Sequence, residues 1–295
     1  MQEGNPHLRL LACFAHPDDE AFPVGGTLAT YAAKGVQVRL ICATLGEEGE
    51  IRQPDSATRE TLPQVRLKEL RGSCQSLGIG QPIVLGYRDS GMDGDSANAH
   101  PSAFVQADAE EVVAFIEEQM LSFQPQVVVT FGPDGLYGHP DHIAIHLHTT
   151  SAFHRARSSP LFREQTTSDN DPGCLSKLFY SVRPKGFRTL MTMKLREAGI
   201  DAPMPPPERL DDGVDPELIH VEMDVSDMIE QKIASQLSHR TQQSPQRPYH
   251  KLPREVACDI LGQEHFTQAY PEPAPGVGIP QDMFEGLWST APSRP

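Results

Sequence analysis

LRLLACFAHPDDE, residues 8–20, carries the first strand of the fold and the first half of a site. Residues 8–15 form a run that is apolar except for Arg9, and a histidine, a proline and three acids follow at once. A short continuous apolar run reads as a strand buried on both faces, the signature of a parallel sheet. In such sheets ligands bind beyond the carboxyl ends of the strands, which is where HPDDE falls. His16 offers an imidazole nitrogen, and Asp18 and Asp19 offer carboxylate oxygens. Adjacent side chains diverge, so the two aspartates suit different tasks, one on a metal and the other facing a water. Glu20 suits the start of the next helix through its dipole. Acids are also common in first helical turns, and Asp can cap one, so HPDDE alone leaves both readings open.

Working outward, the alternation of strands and helices sets the fold class. Residues 21–34 have helical spacing and stop at Gly35, followed by a strand over 36–46. A helix over 60–77 ends at Gly78, and a strand follows over 82–87. A helix over 104–122 leads to a strand over 125–132, and another helix starts near Pro140 to His142. This pattern predicts an α/β fold: a Rossmann-like, doubly wound, mostly parallel sheet with helices on both faces. Beyond about residue 156 the pattern weakens. Residues 158–173 are polar and read as a loop, 177–184 as a strand, 202–216 as a proline-rich connection, and 217–242 as a strand and then a helix. The chain therefore reads as one domain over 1–270. Its core spans about 8–156, C-terminal strand and helix additions over 157–270 shape a pocket, and the Pro/Gly-rich tail, 271–295, is expected to be partly disordered.

Composition narrows the function. Of 295 residues, 40 are acidic and 25 basic, for a net charge of −15. No basic cluster tracks phosphates, which argues against nucleic acid and against an anionic membrane surface. The five cysteines form no CxxC pair, and Cys13 and Cys42 lie inside apolar runs, so a reducing, cytoplasmic setting is expected. No run approaches the roughly 20 apolar residues of a membrane span.

The end of the fourth strand repeats the first motif. FGPDGLYGHPDHIAIH, residues 131–146, again passes from an apolar strand to a His-Pro-Asp cluster. A catalytic zinc commonly takes three protein ligands and keeps one position open. His16, one aspartate of HPDDE and one histidine of HPDH complete such a set. The other histidine is free for acid catalysis, and Asp141 can hold that ring as its partner. His146, His148, His154, His239, His250 and His265 read as packing or surface residues. GGT at 25–27 does not make GxGxxG, so a dinucleotide site is poorly supported.

AHPDDE with HPDH downstream resembles the LmbE-like, or PIG-L-like, zinc-dependent de-N-acetylases. TLGEEGE (44–50), YRDSGM (87–92), YGHPDH (137–142) and SHRTQ (238–242) resemble the subgroup with the mycothiol-pathway N-acetylglucosaminyl-inositol deacetylases. The resemblance implies zinc held by His16, Asp19 and His142, with Asp18 as general base toward the attacking water. It implies His139 as general acid or electrostatic partner, oriented by Asp141, and Tyr137 as donor to the oxyanion. Glu50, Arg66, Asp89 and Met92 match sugar-contacting positions, although the stretch between Glu50 and Arg66 departs from that subgroup.

The expected activity is hydrolysis of the N-acetyl group of a small N-acetylglucosamine conjugate, of the inositol or malate type. The alternative is the same chemistry on a thiol conjugate or on an antibiotic or other N-acyl sugar. Iron suits the same two-histidine, one-aspartate set as zinc. Similar enzymes are often homo-oligomers, and no heptad here fixes a subunit number.

Overall fold

The computed structural model describes residues 8–165, 175–243, 249–273 and 280–288. Its first half follows the expected alternation: β1 (Arg9–Phe14), α1 (Gly25–Ala33), β2 (Gln37–Thr44), α2 (Leu62–Leu77), β3 (Ile83–Tyr87), α3 (Ala109–Phe123) and β4 (Val127–Phe131). A distorted single turn, α4 (Gly135–Gly138), then leads into α5 (Pro140–Ser158). The second half comprises α6 (Pro160–Gln165), β5 (Lys177–Val182), α7 (Phe187–Glu197), β6 (Val221–Asp224), α8 (Ile229–Ser238), α9 (Arg254–Leu261) and β7 (Gln263–Tyr270).

These strands form one seven-stranded sheet in the order β3-β2-β1-β4-β5-β7-β6. The first five are parallel, and β7 runs antiparallel to both β5 and β6. β1 pairs with β2 on one side and β4 on the other, and after Arg9 its residues are all apolar, as a strand inside a parallel sheet requires. Helices α1, α2 and α8 pack against one another, as do α3 and α5. The chain leaves β1 toward β2 and later returns to add β4 on the opposite side. The carboxyl ends of β1 and β4 therefore flank the switch point of the sheet, where crevices form. Among the described residues no helix is long and apolar enough to cross a membrane.

Several boundaries differ from the sequence expectation. α1 starts at Gly25 instead of residue 21, because 16–24 is a turn in which Ala21 and Phe22 N–H both donate to the Asp18 carbonyl. Glu20 therefore precedes the helix and does not serve its first turn. α3 starts at Ala109, where Asp108 caps the N–H groups of Glu110 and Glu111. The loop expected over 158–173 begins as α6, and its residues 166–173 lie outside the described residues. α7, α9 and β7 have no counterpart in the sequence pattern. β7, QEHFTQAY, hides its period because the inward-facing position beside Phe266 is Glu264, buried by an ion pair with Lys232. Of the proline-rich tail, 274–279 and 289–295 lie outside the described residues. Its segment 280–288 packs on the core: Met283 and Phe284 are fully buried, and the Tyr31 hydroxyl donates to Asp282 and accepts from Met283 N–H.

Candidate active site

The HPDDE and HPDH segments, 126 positions apart in sequence, meet at the switch point. His16 Nδ1 lies 3.1 Å from His142 Nε2. Asp19 Oδ2 is 3.7 Å from the former and Asp19 Oδ1 is 3.4 Å from the latter. Hydrogen bonding on the far side of each ring assigns the tautomers. His142 Nδ1 faces the Gly135 carbonyl at 3.1 Å, which only accepts, so Nδ1 carries the hydrogen. His16 Nε2 faces Asp141 Oδ2 at 3.1 Å and Asp89 Oδ1 at 3.5 Å, so its hydrogen sits there. Both facing nitrogens then present lone pairs, and a carboxylate stands beside them. Three buried acceptors at such distances repel unless a cation or an extra proton lies among them. Two imidazoles and a carboxylate fit a catalytic metal.

His139 is set differently. Its Nδ1 accepts from Asp141 N–H at 3.2 Å, so its hydrogen is on Nε2, which points toward Asp89 Oδ1 at 3.9 Å. A nitrogen from each of His16, His139 and His142 lies within 4.8 Å of the others, as do atoms of His16, Asp89 and Asp141. The tautomers separate these groupings: His139 offers a donor, and Asp89 and Asp141 hold the protonated side of His16. Asp141 meets His139 through its main-chain N–H, while its carboxylate lies 3.1 Å from His16 Nε2 and accepts from Ser90 N–H at 2.9 Å.

The rings are fixed by packing. His142 stacks on Phe131 with centroids 4.0 Å apart and planes at 6°, and Tyr137 meets it edge-on at 4.9 Å. Leu136, just before Tyr137, has φ 66°, which turns the chain so that Tyr137 faces the cleft. That cleft is also lined by Asp18, Asp19, Arg183, Gln242 and His265.

The electrostatics ask for positive charge. Burial lowers the affinity of His16 for a proton, but Asp89 and Asp141 outweigh it and raise its pKa well above the usual value. Burial pushes Asp19 up to about 7 against the opposing His16, and it also raises Asp18 against the pull of Arg66. Burial and the His16 charge push His139 down to about 4, and the same causes hold His142 well below its usual range. Burial and the charges of Asp19 and Asp18 push the Tyr137 hydroxyl well up, so it stays protonated.

Asp18 and Asp19 are neighbours with separate tasks. The Asp19 carboxylate accepts from Ala15 and His16 N–H at 3.2 and 2.8 Å. Asp18 has φ 111°, a strained conformation costing on the order of 1–3 kcal/mol for a non-glycine residue. The turn sends its half-buried carboxylate to the cleft, with Arg66 Nη2 3.6 Å away.

The four residues expected to touch a sugar are placed as follows. Arg66 is buried, donating to the Pro17 carbonyl and, at 2.9 Å, to the Gly46 carbonyl. Asp89 is buried beside His16 and accepts from Gly91 and Glu48 N–H. Glu50 is exposed with Arg52 3.3 Å away, and Met92 is exposed. None of the four lines the cleft beside Asp18. Sequence reasoning missed the clamp of Asp89 on His16, the stacking of Phe131 and the burial of His239 against Glu20. For His239 the signal was present, since it opens the HRTQ run of SHRTQ.

Residues 11–153 match the PIG-L family, GlcNAc-PI de-N-acetylase. Over nearly the full length the chain is similar to proteins named 1D-myo-inositol 2-acetamido-2-deoxy-α-D-glucopyranoside deacetylase. The one from Thermobispora bispora is 34% identical over 92% of this chain and 92% of its own. That from Rhodococcus jostii is 36% identical over 95% and 98%. Among solved structures, an N,N′-diacetylchitobiose deacetylase from Pyrococcus horikoshii has a TM-score of 0.57 at 18% identity, covering 91% of this chain and 87% of that one. A 4-carboxy-2-hydroxymuconate hydratase from Pseudomonas putida has the same TM-score, 0.57, at 15% identity, covering 92% and 100%. A deacetylase and a hydratase share the fold, so the fold alone does not fix the reaction.

Proposed function

The chain belongs to the GlcNAc-PI de-N-acetylase family, and from that membership we propose that it removes the N-acetyl group of 1D-myo-inositol 2-acetamido-2-deoxy-α-D-glucopyranoside, with zinc as its metal. It is a hydrolytic deacetylase. The observation that carries the finer reading is the convergence of the His16, His142 and Asp19 acceptors beside Asp18. It occurs in a chain that aligns over 92% and more of its length with relatives of that name. His16, Asp19 and His142 would hold the zinc, and iron suits the same atoms.

When bound, the metal supplies Lewis acidity to the acetyl carbonyl and to the attacking water. Asp18, facing the cleft, takes the proton from that water, and burial, by raising its pKa, strengthens it as a base. Asp19 does not compete for this proton, because two main-chain N–H groups hold its carboxylate at the histidines. Tyr137 keeps its hydroxyl hydrogen and donates it to the oxyanion as the carbonyl carbon becomes tetrahedral. His139 is neutral near pH 7, so it acts as an Nε2–H donor. The proton the amine needs to leave then returns from Asp18. Asp89 and Asp141 keep His16 in the tautomer that points Nδ1 at the metal.

The test is acetate release by metal-loaded protein from the inositol glycoside, the corresponding malate glycoside and free N-acetylglucosamine. A preference of tenfold or more in kcat/KM for the inositol glycoside supports the reading. Equal or better turnover of the malate glycoside overturns the aglycone, and release from none overturns the substrate class.

A further inference from the structure

Resting on that assignment of Asp18 as base, we propose that Glu20 is a positioning residue that fixes the backbone of Asp18. Glu20 is buried, and its Oε2 accepts from Asp18 N–H at 3.0 Å. Its Oε1 is locked by two elements from elsewhere in the chain. The Ser73 hydroxyl on α2 donates to it, and His239 Nε2, just past α8, lies 2.6 Å away. Ser73 and His239 are fully buried. Among the described residues the other ring nitrogen of His239, Nδ1, has no hydrogen-bond partner, so its polar contact is spent on Glu20.

This anchor explains how two adjacent aspartates take different directions. Asp18 has φ 111°, which an aspartate does not hold unless its surroundings impose it. Glu20 reaches back two residues and takes the Asp18 N–H, which fixes the peptide plane entering that residue. On the leaving side, Ala21 and Phe22 N–H take the Asp18 carbonyl at 2.9 and 3.2 Å. Between these constraints the Asp18 side chain stands over the cleft, while Asp19 remains with the histidines. Glu20 is not among the residues lining that cleft, so its effect passes through Asp18.

Glu20→Ala, Glu20→Gln and Ser73→Ala test this, each read by zinc content, by the Asp18 φ in a crystal structure, and by kcat and KM separately. In Glu20→Ala we expect zinc content unchanged, φ relaxed to a negative value, kcat down about 10- to 100-fold and KM within about twofold. Glu20→Gln keeps one carbonyl oxygen for the Asp18 N–H and should retain φ and most of kcat. Ser73→Ala loosens the same carboxylate without stranding it and should show the same split at smaller size, which keeps the test open if Glu20→Ala does not fold. A φ that stays near 111° in Glu20→Ala, or a loss confined to stability with kcat intact, overturns the proposal. If the wild-type protein releases no acetate, the functional reading fails, and the crystallographic φ alone decides the positioning role.

Discussion

His16 Nδ1 and His142 Nε2 lie 3.1 Å apart, and with the opposite nitrogens bonded to acceptors they must share one extra proton or face a cation. The Asp19 carboxylate beside them adds a third acceptor. Removing one should leave a site that no longer holds metal. His142→Ala is expected to reduce bound zinc from about one per chain to near zero and to abolish turnover, as read by elemental analysis and acetate release.

Asp141 Oδ2 lies 3.1 Å from His16 Nε2, on the far side of the ring from the proposed metal position. Asp141→Asn keeps the shape but can place an N–H against His16 Nε2, favouring the wrong tautomer. Metal affinity should fall about 10- to 100-fold, the usual cost of losing such a partner. Zinc titration against a competing chelator measures it. Unchanged affinity would show that the carboxylate does not orient the ring.

Tyr137→Phe removes the hydroxyl and leaves the ring packed edge-on against His142. Loss of one oxyanion donor costs about 10²–10³ in kcat. Steady-state kinetics should therefore show a kcat loss of that size with KM and zinc content little changed.

Gly46 makes room for Arg66. It has φ 67°, and a Cβ there would meet Arg66 Nη1 at 1.8 Å. Gly46→Ala combines backbone strain with overpacking, each worth about 1–3 kcal/mol. Denaturant unfolding should show a loss in that range or above. Because Arg66 donates to the Pro17 carbonyl, turnover should fall as well.

Lys232 and Glu264 form a buried ion pair at 2.7 Å, and Glu264 also takes the Gly26 and Thr27 N–H groups at the start of α1. Lys232→Met strands the carboxylate and should cost about 3–5 kcal/mol. The double variant Lys232→Met with Glu264→Gln should recover part of it, which a double-mutant cycle in urea would measure.

The first half of the fold was legible because parallel strands covered on both faces are written as apolar runs, and RLLACF and VVVTF are such runs. The two halves of the site were legible because each follows such a run directly. The C-terminal part was harder to read. Glu264 and Lys232 look like surface charges in sequence, yet they are buried as a pair, and they mask β7 and the inner face of α8. The partners of two site residues were not written locally either. Asp141 is next to His142 but serves His16, and Glu20 is next to Asp19 but is held by Ser73 and His239, 53 and 219 positions away.

The most direct measurement is acetate release from 1D-myo-inositol 2-acetamido-2-deoxy-α-D-glucopyranoside by the wild-type protein and Asp18→Asn. Each is assayed zinc-loaded, then chelated, then reconstituted. Wild-type turnover that vanishes with the metal and returns with it is expected, along with a loss of about 10²–10⁴-fold in Asp18→Asn at full zinc content. Turnover that survives chelation, or an Asp18→Asn variant as active as the wild type, would contradict a metal site at His16, Asp19 and His142 served by Asp18 as its base.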